Sequence, residues 1–289
     1  MSDSLLIGSE EHKQLFCRTL IDTYNLFDPA KIEWPQIDDT SRRRITALPF
    51  WSDAMFDERN ANRKLMMLAE AQTDPLLGEA IGVQGREEGR HARILEGMLR
   101  AYDIPIGKVP ETVPPKNPEW AFVKLGYGEC FDSFFSFGMF KLAAKSGFFP
   151  KLLVDVFDPI VQEEARHILF FQNWIAYVRA NRPLAHRPVH RLNCAHSLAL
   201  TVWSRVKFAF DLKGGENKKK GGEEKEAFAG GNFSLRTFLE TCLAENKRRL
   251  APYDKRLLRP TLIPSLVGTA VKLLPRGRAA EGKIGAEAA

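Results

Sequence analysis

The chain carries one pentapeptide twice in nearly the same letters, Glu87-Glu88-Gly89-Arg90-His91 and Glu163-Glu164-Ala165-Arg166-His167. On a helix, Glu-x-x-His stacks a carboxylate and an imidazole one turn apart on a single face. Both copies fall on stripes that are otherwise apolar. Ile81, Leu95 and Met98 accompany the first, and Phe157, Val161, Ile168 and Phe171 the second. A carboxylate on a core face is costly unless something compensates it. The fold must therefore bring both copies to a common source of compensation, and few folds do so.

No stretch shows sustained period-two alternation, so the sequence reads as helices throughout. A short helix is expected from Ser9 to about Tyr24, and residues 26–48, with Pro29 and Pro35, read as irregular. Four long helices follow. The first runs from a first-turn Pro49 to near Gln72, and Thr73-Asp74-Pro75 turns the chain into the second, which ends near Tyr102. The third spans Pro118 to Lys145, Ser146-Gly147 breaks it, and the fourth starts at Pro150 and reaches about Ala180.

The two short breaks make antiparallel hairpins. The segment between the second and third helices, 103–117, contains Pro105, Pro110, Pro114 and Pro115. In an extended proline-type conformation it reaches about 46 Å. The second helix is about 42 Å long, so the segment can traverse the whole bundle. The fold class expected is all-α: a four-helix bundle over 49–181 with one long crossover between its second and third helices. An N-terminal helix and lead-in occupy 1–48. A C-terminal helical extension covers 182–275, with helices near 190–210 and 233–250 and a Gly-, Lys- and Glu-rich loop at 213–231. Residues 276–289 read as a disordered tail.

Hairpin symmetry supplies the partners of the two repeats, because residues equidistant from a turn lie at one height. Glu88 is 15 positions beyond Thr73, and the residue 15 positions before it is Glu58. Glu164 is 17 positions beyond Gly147, which points to position 130, and Glu129 is adjacent. Trp51, Met55 and Leu65 share the face of Glu58. A lone Glu-x-x-His is more often a surface pair than a ligand pair. Here two copies, two partners at matching heights and a crossover of sufficient length occur together. The six candidate ligands are Glu58, Glu88, His91, Glu129, Glu164 and His167. Four carboxylates neutralise two divalent cations, and oxygen and nitrogen donors without thiolate favour iron or manganese over structural zinc.

This pattern, Glu58, Glu88-x-x-His91, Glu129, Glu164-x-x-His167, resembles the ferritin-like di-iron carboxylate proteins over about residues 49–180. That superfamily includes bacterioferritin, rubrerythrin and the small subunit of ribonucleotide reductase. The resemblance implies two bound iron ions, with manganese as the alternative. It also implies that Glu163 orients His91 and Glu87 orients His167; the local alternative pairs Glu87 and Glu163 with nearby Arg90 and Arg166. Departures narrow the group. Residues 92–98 lack the radical tyrosine of ribonucleotide reductase, and no rubredoxin module is present. The chain also continues well past a bacterioferritin bundle. What the resemblance leaves is the di-iron oxidase and oxygenase group, including arylamine N-oxygenases. It implies dioxygen and a small organic molecule as substrates. Electrons are expected from an external donor, since no flavin, nicotinamide or iron–sulfur motif appears, or from a two-electron substrate. The alternatives are a ferroxidase or iron-handling protein, a manganese catalase-like enzyme that removes peroxide, and a metal-free helical adaptor.

Ser133 and Ser136 follow Glu129 on its face and, with Phe137, are candidates for an oxygen or substrate pocket. The Phe-rich run Phe131, Phe134, Phe135, Phe137 and Phe140 reads first as ordinary core, as do Trp174 and Tyr177. His186, His190 and His196 read as surface or packing residues. Net charge is +6, with local runs at Lys218–Lys220 and Lys247–Arg249. These read as solvated faces rather than a nucleic-acid surface. Four scattered cysteines without CxxC fit reduced thiols in a cytoplasm. No segment has the ~18 apolar residues of a membrane span. The apolar stretch Pro260–Leu274 reads as packed against the bundle or against a second subunit in a homodimer, in preference to lying on a membrane surface.

Overall fold

The computed structural model describes residues 5–48, 50–214 and 234–275. Among them the fold is all-helical: α1 (Glu10–Ile21), α2 (Asp39–Thr46), α3 (Trp51–Glu70), α4 (Pro75–Ala101), α5 (Pro118–Ser146), α6 (Lys151–Asn181), α7 (Arg187–Gly214), α8 (Leu235–Leu250) and α9 (Leu262–Leu273). Helices α3 to α6 correspond to the four long helices expected. The first-turn role of Pro49 and the loop at 213–231, apart from the end of α7, fall outside the described residues, as does the tail from 276.

Local chemistry sets the helix ends. Asp74 caps α4 by accepting from the backbone N–H groups of Leu76 and Leu77, with Pro75 in the first turn. Asn117 caps α5 through Trp120 N, again with proline next in line. Gly147 closes α5 at φ +69°, a left-handed conformation that glycine adopts at little cost.

Helix α3 packs on α4 and α5, and α5 packs on α6. The glycines of α4 allow a close approach to α3. A Cβ on Gly85 would lie 3.0 Å from Met66 Sδ, and one on Gly89 would lie 3.0 Å from Asn62 Nδ2. The crossover follows α3. Ser52 Oγ donates to Pro105 O and accepts from Gly107 N, and Arg63 donates to Thr112 O about three turns further on. So the segment climbs the outside of the bundle and starts α5 at the far end.

The lead-in is more ordered than its prolines suggest. Asp38 caps α2 by accepting from Ser41 N and Ser41 Oγ, and Ile45 is fully buried beneath it. That helix is short and polar, with no repeating stripe to mark it. Helix α1 lies on α4 and α6 and stops at Ile21, which frees the carbonyls of Thr23 and Asn25 for use elsewhere.

The extension is part of the body. Helix α8 packs on α5 and α6, and α9 packs on α8. Ile263, Val267 and Val271 of α9 face inward, so this stretch packs against the chain itself. One expectation fails here. Arg249, read as part of a solvated basic run, is 1% exposed. It pairs with Asp158 at 2.6 Å and lies over the Phe137 ring at 5.5 Å. Helix α8 turns this one residue of the run toward the bundle, where a guanidinium finds both a carboxylate and an aromatic face. Among the described residues no helix is long and apolar enough to cross a membrane.

Candidate metal centre

Helices α3, α4, α5 and α6 each send carboxylate or imidazole groups toward the middle of the bundle. One ligand atom from each of Glu58, Glu88, His91 and Glu164 lies within 4.8 Å of the others. His167 completes the cluster, with its Nδ1 at 2.9 Å from Glu88 Oε1 and 3.7 Å from Glu164 Oε2. Across the pseudo-twofold, His91 Nδ1 sits 3.1 Å from Glu164 Oε1 and 3.6 Å from Glu88 Oε2. The two imidazole centroids are 5.8 Å apart. Glu129 stands at the edge, where its Oε2 accepts from Gln84 Nε2 at 3.2 Å. It lines the same cavity as Glu58, Glu88 and Glu164.

The outward side of each imidazole is tied down. His91 Nε2 is 2.7 Å from Glu163, and His167 Nε2 is 2.8 Å from Glu87. Each carboxylate uses its other oxygen on an arginine. Arg90 donates to Glu163 at 2.6 Å, and Arg166 donates to Glu87 at 2.5 Å. The arginines are in turn held by the lead-in: Arg90 bonds Asn25 O, and Arg166 bonds Thr23 O and Oγ1. Tyr24 and Phe27 rings cover the Arg90 guanidinium. The two roles weighed for Glu87 and Glu163 therefore coexist, with each arginine contact crossing to the opposite helix.

Four buried atoms inside the cluster, Glu88 Oε1, His91 Nδ1, Glu164 Oε1 and His167 Nδ1, have no hydrogen-bond partner. They approach one another without the geometry of a hydrogen bond. Unsatisfied buried polar atoms are rare in folded proteins. Four that converge, each on a side chain suited to metal ligation, suit a bound metal ion.

The electrostatics point the same way. Burial raises the carboxyls of Glu58 and Glu129 well above their ordinary range, and the negative charge of Glu88 adds to this. Burial alone would push the His91 and His167 imidazoles down. The surrounding carboxylates outweigh it and hold both well above their usual value, Glu163 leading for His91 and Glu88 for His167. Burial also opposes ionisation of Glu163, yet hydrogen bonds from His91 and Arg90 bring it down to about 2. So the metal-free cluster balances its charge with protons, which cations can replace.

Two cavities meet at this cluster. One, of about 450 Å³, is polar and has Asp57, Lys64, Lys124, Asp132 and Arg205 toward its mouth. Arg205 of α7 crosses it to hold Asp132 through Nε at 2.8 Å. The other, of about 250 Å³, is apolar. Glu58 and Glu164 line both, and their side chains keep 25% and 20% of their surface. Ser133 and Phe137 line the polar cavity, and Ser136 lines both. Phe131, Phe134 and Phe135 belong to the packing between α5, α8 and α9, away from the cluster. Gln84 went unremarked in the sequence, although its place one turn before Glu88 on an apolar face marks it.

Comparison of the chain with protein-family models, curated proteins and solved structures returns no match. The functional reading therefore rests on the geometry of this buried Glu and His group, which is compatible with a ferritin-like two-metal site.

Proposed function

We propose that this chain is a di-iron oxidoreductase that uses dioxygen to oxidise a small organic substrate. The observation that carries the reading is the set of four convergent donor atoms, none with a hydrogen-bond partner, on two repeats whose outer imidazole nitrogens are already engaged. Glu58, Glu88, His91, Glu129, Glu164 and His167 are the ligands in this reading, and manganese is the alternative metal for the same donors. A bound iron pair would supply the redox equivalents for reaction with dioxygen.

The protein's own residues do the rest. Glu163 and Glu87 fix the imidazole tautomers with Nδ1 facing inward. Arg90 and Arg166 anchor those carboxylates by charge-assisted hydrogen bonds. Gln84 steadies Glu129. The apolar cavity keeps water from one side of the cluster, and the polar cavity gives ions and protons a path on the other.

The test is metal analysis of purified protein, followed by anaerobic loading with ferrous ion and exposure to oxygen. About two iron or manganese ions per chain and a near-ultraviolet absorption band after oxygen are expected. A protein that retains only traces of either metal and develops no band overturns the reading.

The polar cavity that opens onto Glu58 and Glu164 suits a second reading, a ferroxidase that admits ferrous ion by that route. A hollow multi-subunit cage on a sizing column, with mineralised iron, would select it.

A further inference from the structure

The two cavities that meet at the cluster differ in character, and the difference assigns their occupants. The apolar one lies between the start of α3 and the facing parts of α5 and α6. Five aromatic side chains, Phe50, Trp51, Phe140, Phe149 and Phe157, contribute to its wall. Trp51 is fixed by its own hydrogen bond, Nε1 to Ile45 O at 2.9 Å, and stands 6.2 Å from the Phe149 ring and 6.4 Å from the Phe157 ring. Phe50 and Met139, 46% and 44% exposed, mark its opening to solvent.

Among the described residues, the only ionisable groups along this wall are Glu58, His91 and Glu164 of the cluster, and no lysine or arginine lines it. An anionic substrate would therefore meet no lysine or arginine along the wall and, at its end, a cluster whose carboxylates outnumber its cations when empty and balance them when loaded, which leaves the anion's buried charge uncompensated. Of the cations near the cluster, Lys64, Lys124 and Arg205 line the polar cavity, and Arg90 and Arg166 are engaged by Glu163 and Glu87.

Size narrows the class further. An apolar cavity of about 150 Å³ accommodates benzene. At about 250 Å³ this chamber leaves room for a substituted ring or two fused rings, and it falls below the ~300 Å³ at which drug-sized pockets begin. Aromatic walls favour flat guests through edge-to-face and offset contacts.

From this juxtaposition we propose that the apolar chamber is a binding site for a small, uncharged, ring-containing molecule, held against the Glu58 and Glu164 side of the cluster. As a substrate assignment this rests on the oxidoreductase reading; as a binding site it stands on the chamber alone. Ala54 lines the chamber between Trp51 and Glu58.

The experiment is calorimetric titration of the purified full-length protein with toluene, naphthalene and benzoate. Saturable toluene binding is expected, with benzoate at least tenfold weaker. Ala54→Phe fills the chamber and should weaken toluene at least tenfold. Phe157→Ala enlarges it and should shift preference from toluene toward naphthalene, which covers the case in which Ala54→Phe does not fold. Absence of saturable toluene binding overturns the proposal. So does benzoate binding equal to toluene, or a failure of both variants, once folded, to change the ligand order. Metal content, measured separately, keeps the outcomes apart: ring binding by a chain that takes up no metal upholds the chamber while ending the oxidoreductase reading.

Discussion

His91 Nε2 lies 2.7 Å from a carboxylate oxygen of Glu163, a residue of the other repeat on another helix. His167 and Glu87 repeat the relationship at 2.8 Å. Each repeat thus brings a carboxylate and an imidazole to the cluster and orients the imidazole of its counterpart. Such outer carboxylates fix the tautomer and raise the basicity of a ligating histidine. Glu163→Gln keeps the shape and removes the charge. It is expected to weaken metal affinity about 10- to 100-fold, read by competition with a chelator of known affinity. Unchanged affinity in a folded variant would remove Glu163 from this role.

Metal uptake should release protons. The carboxylates around His91 and His167 hold both imidazoles well above their ordinary value in the metal-free protein. Both are therefore protonated near neutrality, and a ligating imidazole must give up that proton at Nδ1. Titrating metal-free protein with manganese(II) in weak buffer at pH 7 is expected to acidify the solution by at least one proton per chain. Apparent affinity should rise between about pH 6 and pH 8. Proton-neutral binding would mean that these histidines are not ligands.

The acid side of the stability profile carries a separate signature. Glu163 has a folded value of about 2, held down by His91 and Arg90 against the effect of burial, compared with an ordinary 4.5. A depressed acid stabilises the fold above its unfolded value, and the contribution is lost as pH falls toward the folded value. Denaturant unfolding of metal-free wild type and Glu163→Gln should therefore show a stability gap that is full above about pH 5. The gap should narrow as pH falls from 4.5 toward 2. Glu58 and Glu129, raised by burial, act with the opposite sign. The difference between the two proteins reports Glu163 together with the His91 titration coupled to it.

Metal binding should also stabilise the whole bundle, because the ligands come from four helices that come together only in the folded chain. At a free concentration 100 times the dissociation constant, mass action gives about 2.7 kcal/mol. A raised thermal midpoint on addition of ferrous ion or manganese(II), abolished by Glu88→Ala, is the expected result. Equal midpoints with and without metal would contradict a shared centre.

How much of this was legible in the sequence differs by residue. Glu58 and Glu129 followed from distance to a turn, because helical rise is regular and hairpins preserve height. The crossed arginine contacts did not follow. Arg90 sits at a spacing that also permits pairing with Glu87, and the structure places its Nη2 3.6 Å from Glu87 but 2.6 Å from Glu163. Only the packing of α4 against α6 decides between them. The anchors at Thr23 and Asn25 were equally hidden, since a free carbonyl just past α1 has no sequence pattern. Arg249 shows the limit of reading charge runs: one residue of three faces the core, and a linear run does not reveal which.

Gly138 allows a close approach by the C-terminal extension, which gives the last prediction. A Cβ at this position would meet Cys242 Sγ at 2.3 Å and the Cys242 backbone Cα and N at 3.0 Å each. Cys242 is fully buried, so rotating its side chain relieves only part of the clash, and α8 itself must move off α5. Overpacking of this kind costs about 1–3 kcal/mol. Gly138→Ala is expected to lose that amount in denaturant unfolding, offset slightly by the better helix propensity of alanine. Adding Cys242→Ala removes the sulfur contact but leaves the backbone contact, so the double variant should recover only part of the loss. If Gly138→Ala were as stable as wild type, α8 would not be seated on α5 as closely as described. The Arg249–Asp158 pair, which depends on that seating, would then also fail to form.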